Sequence, residues 1–436
     1  MGTEPRPRNR WLNGVSRDGR RIVGAKAVRA FGDGLASIAL AALLAERGFG
    51  PFAIGVLATA ALSGSSLATL AVGFWVDRIG RRRVLMGASV LAALSGIAFA
   101  AAEAYALLLV IVFLGTINPS QGDVSAFLPV EQAALSETVP APRRTWLYAR
   151  YNLVGRISAA AGALATGGAV AGARAFGIDA ADALRLVFVG YSLLGVSLLL
   201  VYRGVSPAIE LAADARARRA RLGESRGRVA GLAALFAIDS FGGGLVVDSV
   251  LALWLFEHHG LSVAATGAIF FAIGLLAAGS MLLAVPLADR IGLIRTMAYT
   301  HLPSNVALAL VPFAPTLPVA LALLFVRSSL SQMDVAPRTT YIVSVVAPEE
   351  RAAAVGVANV ARSLATAAGP LAGGALLAAG PFGLQLVAAG AIKGAYDVAL
   401  LIAFGRVPVR EEPAARTPAG DGEREATGSP ASSPRA

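Results

Sequence analysis

Gly73-Phe74-Trp75-Val76-Asp77-Arg78-Ile79-Gly80-Arg81-Arg82-Arg83 sets an acid and four arginines between two long apolar runs. A shorter version, Leu287-Ala288-Asp289-Arg290-Ile291-Gly292-Leu293-Ile294-Arg295, returns about half a chain later. A compact charge block in so apolar a chain marks where the polypeptide leaves one solvent and re-enters it. Of the 436 residues, 56% are hydrophobic and only 15% are charged, whereas a soluble chain carries about 25% charged residues. With a mean hydropathy of +0.67, the solvent for most of this chain is a bilayer.

Crossing the hydrocarbon takes ~20 apolar residues per helix. Twelve such runs are present: 23–45, 52–76, 84–102, 105–130, 147–172, 183–202, 229–256, 264–288, 297–313, 317–346, 352–379 and 382–404. The spacing predicts an all-α polytopic membrane protein, twelve transmembrane helices in two six-helix bundles. The expected divisions are a tail over 1–21, a first bundle over 22–202, a basic linker over 203–228, a second bundle over 229–406, and a disordered tail over 407–436. The linker reads either as a surface amphipathic helix or as a solvated connection.

The net charge of +11 comes from arginines in the short gaps, where the positive-inside rule places them. Arg78, Arg81, Arg82 and Arg83, Arg143 and Arg144, seven arginines between Arg203 and Arg228, Arg290 and Arg295, and Arg351 fall on one side. Arg47, Arg174 and Arg185 fall on the other. Both termini are therefore expected in the cytoplasm, with the chain in an inner membrane. The basic excess has anionic lipid as its partner rather than nucleic acid. The first span is expected to act as an uncleaved signal.

The two halves repeat. Phe31-Gly32-Asp33-Gly34 matches Phe241-Gly242-Gly243-Gly244 (241 − 31 = 210). Asp77-Arg78-Ile79-Gly80 matches Asp289-Arg290-Ile291-Gly292 (289 − 77 = 212), and Gln121-Gly122-Asp123 matches Gln332-Met333-Asp334 (334 − 123 = 211). Near-constant offsets at three places indicate a duplicated bundle, the pattern of a rocking transporter with its site between the repeats.

Charges inside the spans form stripes at helical spacing. Lys26, Arg29, Asp33 and Ser37 share one face of span 1, and Arg327, Ser331, Asp334, Arg338 and Tyr341 share one face of span 10. Asn359, Arg362 and Thr366 lie together on span 11, Asn152 and Arg156 on span 5, Asp123 and Glu131 on span 4, and Asp239 on span 7. A mid-bilayer charge costs roughly 2.5–3.5 kcal/mol on insertion scales, so such residues face a cavity or a partner. Static pairs are the competing reading: Arg29–Asp33, Asp334–Arg338 and, on span 12, Lys393–Asp397, each at i, i+4. For Lys393–Asp397 the static pair is expected.

Chemistry of other kinds finds no support. There is no cysteine, and His258, His259 and His301 lack further ligands at metal spacing. No phosphate-cradling lysine loop and no Gly-x-Ser-x-Gly nucleophile occurs, so no cofactor, no metal and no enzyme activity is expected.

With these residues in view, the chain resembles the major facilitator superfamily. Gly73-x-x-x-Asp77-Arg78-x-Gly80-Arg81-Arg82 is similar to that family's loop signature between spans 2 and 3, Asp289-Arg290-x-Gly292 to its weaker echo, and Pro348-Glu349-Glu350-Arg351 to its acid–arginine turn. The resemblance implies secondary transport by a monomer, with spans 1, 4, 7 and 10 lining a central cavity. It makes Gly73, Asp77, Arg78, Gly80, Arg82, Asp289, Arg290, Gly292, Glu350 and Arg351 elements of an inner gate, with simple positive-inside anchoring as the alternative. Asp33, Asp123, Asp334, Glu131 and Asp239 become proton-coupling candidates. Arg29, Gln121, Asn152, Arg156, Arg327, Gln332, Arg338, Tyr341, Asn359 and Arg362 become cavity candidates.

Gly369-Pro370-Leu371-Ala372-Gly373-Gly374 on span 11 is similar to a pattern the family's antiporters carry on span 5. Span 5 here has Gly162, Gly167 and Gly168 without the proline, and Asn118 stands where the proton-coupling pattern has arginine. The expected function is proton-coupled efflux of a small organic solute. A facilitator or symporter for an organic anion is the first alternative, and a transporter-like enzyme or receptor the second.

Overall fold

The computed structural model describes residue 12 and residues 14–121, 125–140, 143–210, 222–380 and 382–405. Asp123, the middle of the linker (211–221) and the final tail lie outside the described residues.

Among the described residues, fifteen α-helices account for the apolar runs. The first bundle holds α1 (Arg17–Glu46), α2 (Pro51–Ile79), α3 (Arg81–Ala101), α4 (Tyr105–Leu114), α5 (Phe127–Ser136), α6 (Arg144–Ala175) and α7 (Ala180–Arg203). The second holds α8 (Arg226–Gly244), α9 (Asp248–His259), α10 (Val263–Ile291), α11 (Leu293–Leu310), α12 (Leu317–Leu330), α13 (Val335–Ser344), α14 (Arg351–Ala378) and α15 (Leu384–Phe404). Local signals set the ends. Ser16 Oγ accepts the Gly19 N–H at 3.1 Å to cap α1, and Pro51 opens α2, where its missing N–H costs nothing. Gly80 and Gly292 end α2 and α10 at φ of 96° and 89°, a region that L side chains rarely enter. The twin loops therefore need glycine at that point for backbone reasons alone.

Three spans expected as continuous are broken near mid-membrane. Run 105–130 is divided into α4 and α5, run 229–256 into α8 and α9, and run 317–346 into α12 and α13. Each break has a local cause. Pro119 cannot donate to a helical ladder and pushes Asn118 out of the α region. Gly242-Gly243-Gly244 costs about 1 kcal/mol per glycine relative to alanine. The Ser328, Ser329 and Ser331 hydroxyls donate back to carbonyls three or four residues earlier, competing with the helix. Non-helical backbone at this depth is tolerated only where protein or a polar cavity covers it.

The halves obey one packing scheme. α1 lies on α6 and α3 on α7; their counterparts are α8 on α14 and α11 on α15. Between the halves, α2 packs on α14 and α6 on α10. Without a hydrophobic drive between helices in lipid, close backbone approach supplies the adhesion, and small residues permit it. A Cβ placed on Gly374 would lie 2.6 Å from Pro51 O and 2.8 Å from Gly55 Cα. One on Gly167 would lie 2.8 Å from Ala264 Cα, and one on Gly267 2.6 Å from Ala163 O.

These contacts cluster toward one end. About five helical turns along the same faces, Gly73 on α2 and Gly356 on α14 have no atom within 4 Å of where a Cβ would sit. The apolar cores tell the same story. One cluster joins both halves through Leu40, Leu57, Trp254, Phe270 and Leu377 toward the arginine-poor end. Toward the arginine-rich end there are two, one confined to the first half around Tyr151 and Tyr202, the other to the second around Phe236 and Tyr396. The bundles are thus zipped at the arginine-poor end and separate at the other.

Candidate functional site

The buried charges gather into two clusters, one per half. In the first, Arg29 on α1 reaches Glu131 on α5 at 2.8 Å, Asp33 at 3.5 Å and Ser125 Oγ at 3.1 Å. Glu131 also accepts the hydroxyls of Tyr151 on α6 and Tyr202 on α7, and it is fully buried. Lys26 lies over the Tyr151 ring, 5.0 Å from its centroid. A carboxylate with a guanidinium and two phenols has nearly all its acceptor sites filled, which is what allows a charge at this depth.

In the second cluster, Arg338 on α13 reaches Asp334 at 2.9 Å and Asp239 on α8 at 3.2 Å. Lys393 on α15 reaches Asp239 at 2.5 Å. Asp397, expected to pair with Lys393, instead meets His301 Nδ1 on α11 at 2.9 Å and accepts Asn305 Nδ2 at 2.8 Å. One helical turn separates Lys393 from Asp397, so the two can face different neighbours. Arg362 on α14 donates to Ser240 Oγ at 3.2 Å.

Each cluster lines a cleft in its own half. Asp33 and Arg29 line a cleft of about 330 Å³ inside the first half, with Gly32, Thr116, Ser125 and Tyr191. Arg338, Asn359 and Arg362 line a separate cleft of about 260 Å³ in the second, with Thr339. Tyr341 does not share that cleft. It is buried against Phe404 at the end of α15, its hydroxyl 3.5 Å from the Phe404 carbonyl.

A third group of polar residues crosses between the halves near the helix breaks. Arg156 Nη2 on α6 donates to Gln332 Oε1 at 3.0 Å. The Gln121 N–H donates to Asp248 Oδ2 at 2.5 Å, and the Ser249 N–H donates to the Pro119 carbonyl at 3.1 Å. Half-buried Arg327 stands within electrostatic reach of Asp248. Half-buried Asn152 keeps an Oδ1 with no hydrogen-bond partner among the described residues.

The gate residues with contacts among the described residues bond to the adjoining linker or to their own half. Glu210 accepts the N–H groups of Arg81 and Arg82 at 2.7 and 3.1 Å, capping α3, and Arg82 donates to the Arg203 carbonyl at 2.7 Å. Glu350 accepts the Gly223 N–H, and Arg351 Nε donates to the Val343 carbonyl at 3.1 Å. Arg78, Asp289 and Arg290 are exposed, and Asp77 occupies the last turn of α2. At the opposite end, Arg47 donates to the Ala102 carbonyl at 2.8 Å; partial burial and the nearby Arg185 guanidinium pull its pKa below the ordinary arginine value.

Sequence reasoning passed over Asp248, His301, Tyr151 and Tyr202. A polar group inside an apolar run was the available signal for each. The partner that gives it meaning sits on a distant helix.

A sequence model of the Major Facilitator Superfamily matches residues 22–298 and 231–434. The uncharacterized membrane protein YJR124C of Saccharomyces cerevisiae is 27% identical over 351 residues, 73% of this chain and 78% of its own length. Among solved structures, a bacterial homologue of the human lysosomal transporter Spinster, inward-facing and occupied, superposes with a TM-score of 0.68 at 15% identity, covering 88% of this chain and 93% of that one. A D-xylose–proton symporter gives 0.68 at 16% identity, over 87% and 97%. The human organic anion transporter MFSD10 gives 0.61 at 17% identity, over 88% and 100%. At such identities the likeness is one of fold.

Proposed function

The chain belongs to the Major Facilitator Superfamily, as a multi-pass membrane transporter rather than an enzyme, and on that premise we propose that it exports a small organic solute by proton-coupled alternating access. One observation carries the reading: the halves are zipped at the arginine-poor end by Gly55, Gly374, Gly167 and Gly267 and stand apart at the arginine-rich end. The arginine excess assigns the open end, and both termini, to the cytoplasm of an inner membrane. The state is then inward-facing, and the gate loops are apart because the mouth they close is open. The Asp77 and Asp289 loops would meet across that mouth in the opposite state.

Asp33, Glu131, Asp239 and Asp334 each hold a cation, so a proton arriving at one of them changes an ion pair rather than a lone charge. Asp123 joins them as a candidate. The glycine–proline run at 369–374, lodged against Gly244, Leu245 and Gly55, supports export through its antiporter-like pattern. The protein is read as a monomer whose solute occupies the seam near Gln121, Arg156, Arg327 and Gln332.

A second reading, transport of an organic anion, rests on Arg156, Arg327 and Arg362. Among the described residues, none of the three has a carboxylate within 4.0 Å. Guanidinium groups left without a carboxylate suit a ligand that supplies one.

A thermal-shift screen of metabolites, drugs and organic acids supplies a solute, and flux in reconstituted vesicles follows. Proton-coupled export requires flux to stop when the pH gradient is collapsed. Flux that survives refutes the coupling. Arg362→Lys should impair an anion severely, and unchanged transport removes that residue from the site.

A further inference from the structure

Among the described residues, Asp248 differs from every other acid in the helical core. Asp33, Glu131, Asp239, Asp334 and Asp397 each have a cationic or imidazole nitrogen within 3.5 Å. Asp248 has none within 4.0 Å among the described residues; its one hydrogen bond is the Gln121 N–H at 2.5 Å. That bond also crosses from the second half to the first. Beside it the Ser249 N–H meets the Pro119 carbonyl at 3.1 Å. The break between α8 and α9 is thereby docked on the break after α4 by two bonds that must part when the arginine-poor end opens.

Asp248 is half-buried in the seam, so its ionised carboxylate loses part of its water without gaining a counter-ion. The charged groups facing it are Arg156 on α6 and Arg327 on α12, both beyond contact distance. They and the α9 N-terminus lower that cost without abolishing it. α1, α2, α10 and α14, which also pack on α9, contribute to the apolar cluster there. A proton on the carboxyl removes the charge and keeps an oxygen for the Gln121 N–H. When the seam parts, the same carboxyl gains water, and the balance shifts back toward the ionised form.

We infer that Asp248 is a proton-binding site that couples closure of the arginine-poor end to proton uptake. The inference rests on the alternating-access reading and is independent of which solute is carried. Protonation of Asp248 accompanies zipping of the halves. Its loss accompanies their opening.

The absence of native cysteine makes the test direct. Phe176 in the α6–α7 loop and Phe382 in the α14–α15 loop, 87% and 42% exposed on opposite halves, are replaced by cysteine and spin-labelled in lipid nanodiscs. Distances are measured by double electron–electron resonance from acidic to alkaline pH, with no solute present. The expected result is a short distance at low pH, with a longer one growing in as pH rises. Asp248→Asn should abolish the longer component at every pH, and Asp248→Glu should retain the response. A pH response in D248N equal to that of the unmodified chain overturns the assignment while leaving alternating access in place. A distance distribution that ignores pH in the unmodified chain overturns it as well.

Discussion

Gly374 offers the sharpest perturbation of the zipped seam. A methyl added there would sit 2.6 Å from Pro51 O and 2.8 Å from Gly55 Cα, so α2 and α14 must separate to admit it. Overpacking of this kind costs about 1–3 kcal/mol. The cost falls only on the state in which these backbones touch. At about 1.4 kcal/mol per tenfold, Gly374→Ala raises the population opened at the arginine-poor end by roughly 5- to 150-fold. Gly356, on the same face of α14 but with nothing within 4 Å, is the matched control. Leu62, on the Gly55 face of α2 and 1% exposed, is changed to cysteine in the native cysteine-free background, and its labelling by a membrane-impermeant maleimide is timed. Gly374→Ala should accelerate labelling within the stated range, and Gly356→Ala should leave the rate where it was. Equal rates in both variants, or acceleration by Gly356→Ala, would refute the hinge drawn from the glycine contacts.

Gly80→Ala and Gly292→Ala each force a side chain to positive φ and should cost about 1–2 kcal/mol, read as a lower Tm, while Gly87→Ala, with open space around it, should not. Glu131→Gln leaves the buried Arg29 with Asp33, at 3.5 Å, as its one remaining carboxylate among the described residues and should cost roughly 3–5 kcal/mol. Glu103→Gln, on a largely exposed pair with Arg185, should stay within about 1 kcal/mol; the two are compared by thermal unfolding in one detergent. Lys393→Met should perturb the Asp239 cluster, whereas the notion of a private Lys393–Asp397 pair predicts damage at Asp397 instead. Double-mutant cycles in thermal unfolding distinguish them: Lys393→Met should couple strongly to Asp239→Asn and less to Asp397→Asn. Equal or stronger coupling to Asp397→Asn would count against the Asp239 link.

The run-by-run reading of the chain gave the helices, the repeat and the glycine-bearing twin loops, because those depend on short-range signals. Apolar length, arginine in gaps, and a glycine where α2 must stop are properties of neighbours in sequence. The breaks in runs 105–130, 229–256 and 317–346 were written there as well, in Pro119, Gly242-Gly243-Gly244 and a serine cluster. They were masked by the hydropathy of the flanking residues.

Charge pairing is another matter. Asp334–Arg338 and Arg29–Asp33 follow from one turn of helix and were foreseeable; Lys393–Asp239, Asp397–His301 and Arg29–Glu131 join residues 154, 96 and 102 positions apart. Helical periodicity assigns a side chain to a face and leaves open which helix that face meets.

The amino-acid order by itself determined that the chain lives in a bilayer as two related bundles, since the free energy of placing each segment in lipid is nearly additive along the run. Only the folded packing decided which acids keep a counter-ion, which one spans the seam without one, and which end of the molecule is closed. Those outcomes depend on distances between helices that no local pattern encodes.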